Sequence, residues 1–426
     1  MSNPLPHRID LLRSATLADG RVVDVALSEG SVTSVTAAGS IAPSEDAEIL
    51  DLTGYVLMTA PAEPHAHLDK ALSFDLIQPP LGDLDKAILS WREYAAGMTV
   101  DDIADRARAA ALRMLANGTT AIRSHVDVLQ GPEPTRGAEA VVRVRDELAG
   151  LIDIEIVALG GWQSPDSAFE AVLDLGVDLI GGAPHLAPDP IADLTRVLAI
   201  AERRGVGVDL HTDESLHGAV TLGEFARIVR GWTVPVSAGH CVRLGTLERT
   251  ELADVIAEVR ASNIGIISLP ITNLYLQGWD DPVSTPRGLT ALRALLDAGV
   301  RVAAGADNIR DPFNPVGRAD ALETASLLVT AGHLDFAESI AAITDGARDV
   351  MSLPPAGAET GRAAEFLAVR AGSVGEAIAF APADRYVIHR GLLVSESHVS
   401  VNTASAASAL PLGLTAGAGR TVSAGR

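Results

Sequence analysis

Pro61-Ala62-Glu63-Pro64-His65-Ala66-His67-Leu68-Asp69-Lys70 follows the apolar run 55–58 and holds two histidines two residues apart. In an extended strand, residues i and i+2 point to the same side, so both imidazoles aim at one spot. Imidazole is the commonest metal-binding side chain, and two convergent rings make half of a metal site. Two merely hydrogen-bonded histidines at a strand end would look the same in isolation. Histidines and an aspartate downstream, each placed where an apolar run stops, separate the two readings.

Outward from this stretch, the middle of the chain alternates between strand-like and helix-like runs. Strands are expected at 55–60, 120–126, 154–159, 179–183, 207–210, 234–238, 264–269 and 300–304. Helical periodicity separates them at 100–116, 138–149, 166–174, 191–203, 217–229, 247–261 and 289–297, and continues at 315–331 and 336–350. Apolar residues recur at i, i+3, i+4, with Gly118, Gly176, Gly205 and Gly299 near the helix ends. Eight strands with crossover helices predict a (β/α)₈ barrel. A doubly wound sheet is the competitor, but no Gly-x-Gly-x-x-Gly follows an early strand.

Both chain ends read as β structure. Residues 11–17 and 22–27, with Asp19-Gly20 and Glu29-Gly30 turns, suggest hairpins. Such a piece is too small to stand alone, and runs 365–369, 377–380 and 386–394 offer it strands to pair with. The expected organisation is a small β-sandwich from residues 1–54 and 356–402, a barrel from 55–355, and a flexible Ala/Ser/Gly/Thr tail from 403–426.

Composition narrows the function classes. Acidic residues outnumber basic ones 55 to 33, for a formal charge of −22. That argues against nucleic acid and anionic membranes as partners, since both call for a basic footprint. No stretch approaches eighteen uninterrupted apolar residues, the N-terminus lacks a signal-like pattern, and the single cysteine, Cys241, has no internal partner. A cytoplasmic protein is the expectation. Cys241 follows His240 and so faces the helices, as a core residue.

Six of eleven histidines fall at strand ends, on one rim of the expected barrel: His65, His67, His125, His185, His211 and His240. Barrel enzymes carry their chemistry on that rim. The ordered motifs are Glu-Pro-His-Ala-His-Leu-Asp-Lys, Ser-His-Val-Asp-Val, His-Thr-Asp-Glu, Ala-Gly-His, Ile-Thr-Asn-Leu-Tyr-Leu-Gln-Gly and Ala-Asp-Asn-Ile-Arg-Asp-Pro-Phe-Asn-Pro. As a set they resemble the amidohydrolase superfamily, and within it the cytosine deaminase-like branch, over nearly the whole chain.

The resemblance implies His65, His67, His211 and Asp307 as ligands of one divalent metal ion, Zn²⁺ or Fe²⁺. Two-metal members of the superfamily use a carboxylated lysine on strand four. The only lysines here are Lys70 and Lys86, neither near strand four. The resemblance further implies Glu214 as the acid for the ring nitrogen, His240 as orienting group and Asp307 as proton shuttle. Lys70 resembles a substrate-contacting lysine of the aminotriazine-processing members. His125 and Asp127 are expected to support the metal histidines by hydrogen bonds, and His185 is open between substrate contact and packing.

Specificity is where the chain departs from its relatives. Cytosine deaminases end strand three with Phe-Pro-Gln, whereas this chain runs Gly160-Gly161-Trp162-Gln163. Gly161 stands where the glutamine belongs, Trp162 offers a stacking face and Gln163 comes two residues late. After strand eight, Asn308 and Phe313 replace the family's aspartate and tryptophan as substrate contacts. The expected activity is deamination of an amino-substituted small-molecule N-heterocycle other than cytosine. Hydrolysis of a cyclic amide or another C–N bond is the second expectation. An inactive metal-binding barrel is the third, and an intact set including Glu214 speaks against it. The resemblance points to a homo-oligomer.

Overall fold

The computed structural model describes residues 4–401; the expected tail at 403–426 lies outside the described residues. Eight parallel strands run in chain order: Ala62–Ala66, Ala121–Asp127, Asp153–Gly160, Leu179–Gly182, Gly207–Thr212, Val236–His240, Gly265–Ser268 and Val302–Ala304. Helices packed on the outside bury both faces, which is why these strands are short apolar runs rather than alternating ones. Caps follow the sequence: Thr99 accepts from Asp102 N, Asp189 from Ala192 N, and Gly205 closes its helix in the left-handed region.

One strand assignment changes. Tyr55–Thr59 is not the first barrel strand; it pairs antiparallel with Phe366–Arg370, and the barrel begins after Pro61 at Ala62–Ala66. Tyr55 and Leu57 pack in the core of the terminal sheet while Val56 and Met58 face the barrel. Burial on both sides gives the segment the same apolar signature as a barrel strand. The true first strand contains Glu63 and Pro64, which hide it. Residues 377–380, expected as a strand, belong to the helix Val374–Phe380, started by Ser373 accepting from Glu376 N. So short an apolar run cannot be assigned by periodicity. The helices Leu84–Ala95 and Pro270–Leu276 carry no expected counterpart.

The chain ends form one nine-stranded, mostly antiparallel sheet. Its spatial order is His7–Arg8, Leu392–Ser397, Arg385–His389, Phe366–Arg370, Tyr55–Thr59, Leu11–Thr16, Val22–Ser28 and Ser31–Ala37, with Ile49–Asp51 beside Leu11–Thr16. Tyr55–Thr59 therefore ties this sheet directly to the barrel's first strand.

Barrel closure is unusual. Between the last and first strands only an isolated bridge, Ala66 to Asp307, is formed among the described residues. A buried side chain does the rest: the Glu63 carboxyl group accepts across the seam from Ala306 N at 2.8 Å, and from His65 N of its own strand at 3.2 Å. A Cβ at Gly305 would sit 2.0 Å from Glu63 Oε1, so this closure needs glycine there. Glu63→Ala is expected to destabilise the protein by about 1–3 kcal/mol for each backbone N–H left without an acceptor. A urea midpoint equal to that of the parent would contradict this role.

Candidate active site

The strand ends bring the predicted ligands together. His65 sits on strand one with His67 just beyond it, His211 on strand five, and Asp307 in the turn after strand eight. The His65 and His67 Nε2 atoms lie 3.3 and 3.1 Å from His211 Nε2, and Asp307 Oδ1 is 3.2 Å from His67 Nε2 and 3.9 Å from His65 Nε2. All four residues are buried, and among the described residues neither Asp307 oxygen has a hydrogen-bond partner. Three imidazole nitrogens and an unpartnered carboxyl group converging in a buried pocket fit a divalent cation. Burial, reinforced by neighbouring imidazoles and by Arg123 at His65 or Lys70 at His67 and His211, holds the three histidines well below the usual imidazole range, hence neutral and ready to ligate.

Local backbone shape supports this convergence. Asp213, His240, Cys241 and Asp307 all adopt positive φ, between 49° and 66°, although none is glycine. Such conformations persist only when the surroundings over-determine them, and they concentrate at functional sites. Gly239 makes room for its neighbour across the barrel: a Cβ there would lie 2.8 Å from His65 Cε1. Cys241 is fully buried in the core, as expected.

Glu214 and His240 stand opposite, with His185 Nε2 4.0 Å from Glu214 Oε2. His240 Nδ1 is 3.5 Å from Glu214 Oε1, and His240 Nε2 is 4.0 Å from Asp307 Oδ2. Burial alone pushes the Glu214 carboxyl up to about 8. Asp307 is likewise raised well above the carboxylate range by burial, then by Glu214 and Asp311 beside it. Asn273 Nδ2 lies 2.9 Å from His240 Nδ1. When that amide donates, the His240 proton sits on Nε2, turned toward Asp307. Asn273 belongs to the Ile-Thr-Asn stretch; its site role had no sequence signal beyond the motif itself. His185 hydrogen-bonds the His211 carbonyl through Nδ1 at 3.2 Å, and burial lowers it to about 4.

The residues expected to back the metal histidines behave differently. His125 stacks on His65, with ring centroids 3.9 Å apart, and forms no hydrogen bond to it. Asp209 is the carboxylate behind both rings: its Oδ1 lies 3.8 Å from His65 Nδ1 and 3.5 Å from His125 Nε2. Asp209 in turn accepts from the fully buried Arg123 at 2.8 Å and from Ser237 at 2.8 Å. Standing two residues before His211, it shares the inward face of strand five, a spacing the sequence already displays. Asp127 points elsewhere, binding Lys70 Nζ at 2.6 Å and Trp91 Nε1 at 2.7 Å. Lys70 is buried and also reaches His67 Nδ1 at 3.2 Å; burial opposes its charge, but Asp127 and Asp69 outweigh that and hold its pKa up.

A cavity of about 290 Å³ opens over these groups. Lys70, Asn308, Phe313 and Gly161 line it; Trp162, Gln163 and His185 do not. Gln163 is turned to the rim, bonded to Gln130 at 2.7 Å, and Trp162 is 45% exposed. The aromatic wall comes instead from Trp91, and Leu84, Ile88, Ala95 and Ala96 of the same helix cover the cavity. No glutamine at 161 closes the space: a Cβ there would meet nothing within 4 Å.

Residues 99–399 match the amidohydrolase family. The chain is 32% identical over 391 residues to a pterin deaminase of Rhizobium rhizogenes (strain K84), covering 88% of each. Among solved structures it resembles a 5-methylcytosine deaminase of Klebsiella pneumoniae liganded with phosphonocytosine, at 26% identity and a TM-score of 0.84 over 92% of this chain and 100% of that one. It also resembles an N-isopropylammelide isopropylaminohydrolase of Burkholderia multivorans, at 26% identity and a TM-score of 0.77 over 91% and 98%.

Proposed function

As this chain belongs to the amidohydrolase family and is a hydrolase of C–N bonds, we propose that it deaminates an amino-substituted N-heterocycle, using one divalent ion, Zn²⁺ or Fe²⁺, held by His65, His67, His211 and Asp307. One observation carries the reading: a buried carboxyl group, Glu214, stands beside His240 and faces the ligand cluster across the cavity. The bound ion supplies hydroxide near neutral pH by lowering the pKa of water. Everything else is proton handling by the chain. Glu214, kept protonated by burial, gives its proton to the ring nitrogen next to the attacked carbon. His240, fixed by Asn273, donates toward the reacting oxygen from Nε2. Asp307 takes the proton of the attacking water and passes it to the departing amine, and the hydroxyl proton released as the carbonyl forms returns to Glu214. Lys70, anchored by Asp127, contacts the ring edge.

Several features support a two-ring substrate over cytosine. Gly161 leaves open the place that a pyrimidine-reading glutamine would fill, Trp91 gives a stacking face, and the relative sharing 32% identity is a pterin deaminase. A site lacking the partner of a buried polar group rejects that ligand strongly. Ammonia release from cytosine, isoguanine, pterin and amino-s-triazines by the metal-loaded protein tests the reading. The expected result is turnover of a two-ring compound with kcat/KM about 100-fold or more above cytosine. Gln163→Ala is expected to change that value by less than about threefold, since rim substitutions without cavity contact have small effects. Cytosine as the best substrate would overturn the two-ring assignment, and release of no amine from any compound would overturn deamination.

The proposal is further one of a cytoplasmic protein acting on a small molecule, as a homo-oligomer. Among the described residues no helix is long and apolar enough to cross a membrane.

A further inference from the structure

The helix Leu84–Ala95 presents one face to the cavity, through Leu84, Ile88, Trp91 and Arg92, with Ala95 and Ala96 at its end. These positions recur at helical spacing, so they form a stripe, and all but one are apolar or aromatic. Arg92 is the exception. It is the only arginine in the cavity lining, and it is exposed at the mouth.

Four arginines on other helices pair with acids one turn away: Arg106 with Asp102, Arg196 with Asp193, Arg227 with Glu224 and Arg293 with Asp297. The positions three and four away from Arg92 are Ile88, Leu89, Ala95 and Ala96, none able to pair with it. Its side chain has no hydrogen-bond or ion-pair partner among the described residues. The other non-histidine cation of the lining, Lys70, is already committed to Asp127 at 2.6 Å. An anion entering the cavity therefore meets one uncommitted positive charge, on a chain with a net charge of −22. A solvated arginine belongs on the outer face with Lys86 and Glu93, which are absent from the lining.

We propose that Arg92 docks a carboxylate carried by the substrate, which is accordingly an N-heterocycle bearing an acidic substituent on the side away from the scissile C–N bond. A guanidinium presents paired donors that match the two oxygens of a carboxylate. The apolar residues Leu84, Ile88, Leu129 and Leu186 lie in the same lining and suit the uncharged remainder of the substrate. This inference rests on the deaminase reading of the site.

Matched pairs test it: pterin with 6-carboxypterin, and cytosine with 5-carboxycytosine. Ammonia release and equilibrium dialysis are both measured on the metal-loaded full chain, for the parent protein, Arg92→Ala and Arg92→Lys. In the parent, the acid member of a pair should exceed its neutral partner about 10- to 100-fold in kcat/KM or affinity, the range of one charge-assisted contact. That ratio should fall to near one in Arg92→Ala, recover in part in Arg92→Lys, and shrink with added salt. A parent ratio near one in both pairs, or a ratio that Arg92→Ala leaves unchanged, overturns the assignment. Tighter binding of the acid without ammonia release supports Arg92 and removes deamination; ammonia release without acid preference does the reverse.

Discussion

Glu214→Gln is expected to lower turnover by about 10²- to 10⁴-fold while the protein keeps its metal. The amide preserves shape and hydrogen bonding and removes only the transferable proton. Glu214 stands at 3.5 Å from His240 and outside the ligand cluster, so metal content should match the parent. A pH profile adds a second readout. A carboxyl raised by burial to about 8 is protonated at neutral pH, so the acid is loaded there and is lost as pH rises through that value. kcat/KM should therefore decline on the alkaline side near pH 8. A divalent ion across the cavity favours the ionised form and draws that limb downward. In Glu214→Gln the limb should vanish along with most of the activity. Retained activity, or loss of the metal, would mean that Glu214 is not the acid.

Stripping the metal should lower ammonia release by about 10³-fold or more at neutral pH, because the pKa of water then returns from about 7 toward 15.7. Activity should return with about one equivalent of Zn²⁺ or Fe²⁺ per chain, measured by elemental analysis beside the assay. Strand four, Leu179–Gly182, supplies no lysine to bridge a second ion. A requirement for two equivalents would refute the single-ion site.

The cluster of candidate ligands was legible because each member sits where an apolar strand stops, and a strand's period of two aims His65 and His67 at one point. His211 and Asp307 needed the whole ordered series of motifs, since neither is informative alone. The cavity wall was not legible. Its aromatic and aliphatic residues lie on the helix Leu84–Ala95, whose pattern is that of any amphipathic helix. Trp162 and Gln163 attracted attention by chemistry and position, yet the chain turns both outward beyond Gly161. The segment Tyr55–Thr59 misled for a different reason. A strand buried on both faces writes the same apolar run whether it belongs to a barrel or to a sheet packed against one.

The seam joined by Glu63 has a consequence for how the protein acquires and keeps its ion. Proteins open locally where backbone pairing is thinnest, and here one bridge and one carboxylate stand in for a ladder. Asp307 lies on one lip of that seam, and His65 and His67 on the other. Parting the lips would pull the Asp307 side chain away from the imidazoles. An ion held across the lips by His65, His67 and Asp307 would act as a rivet, and slower amide exchange on both strands in the metal-loaded protein than in the stripped one would be its mark.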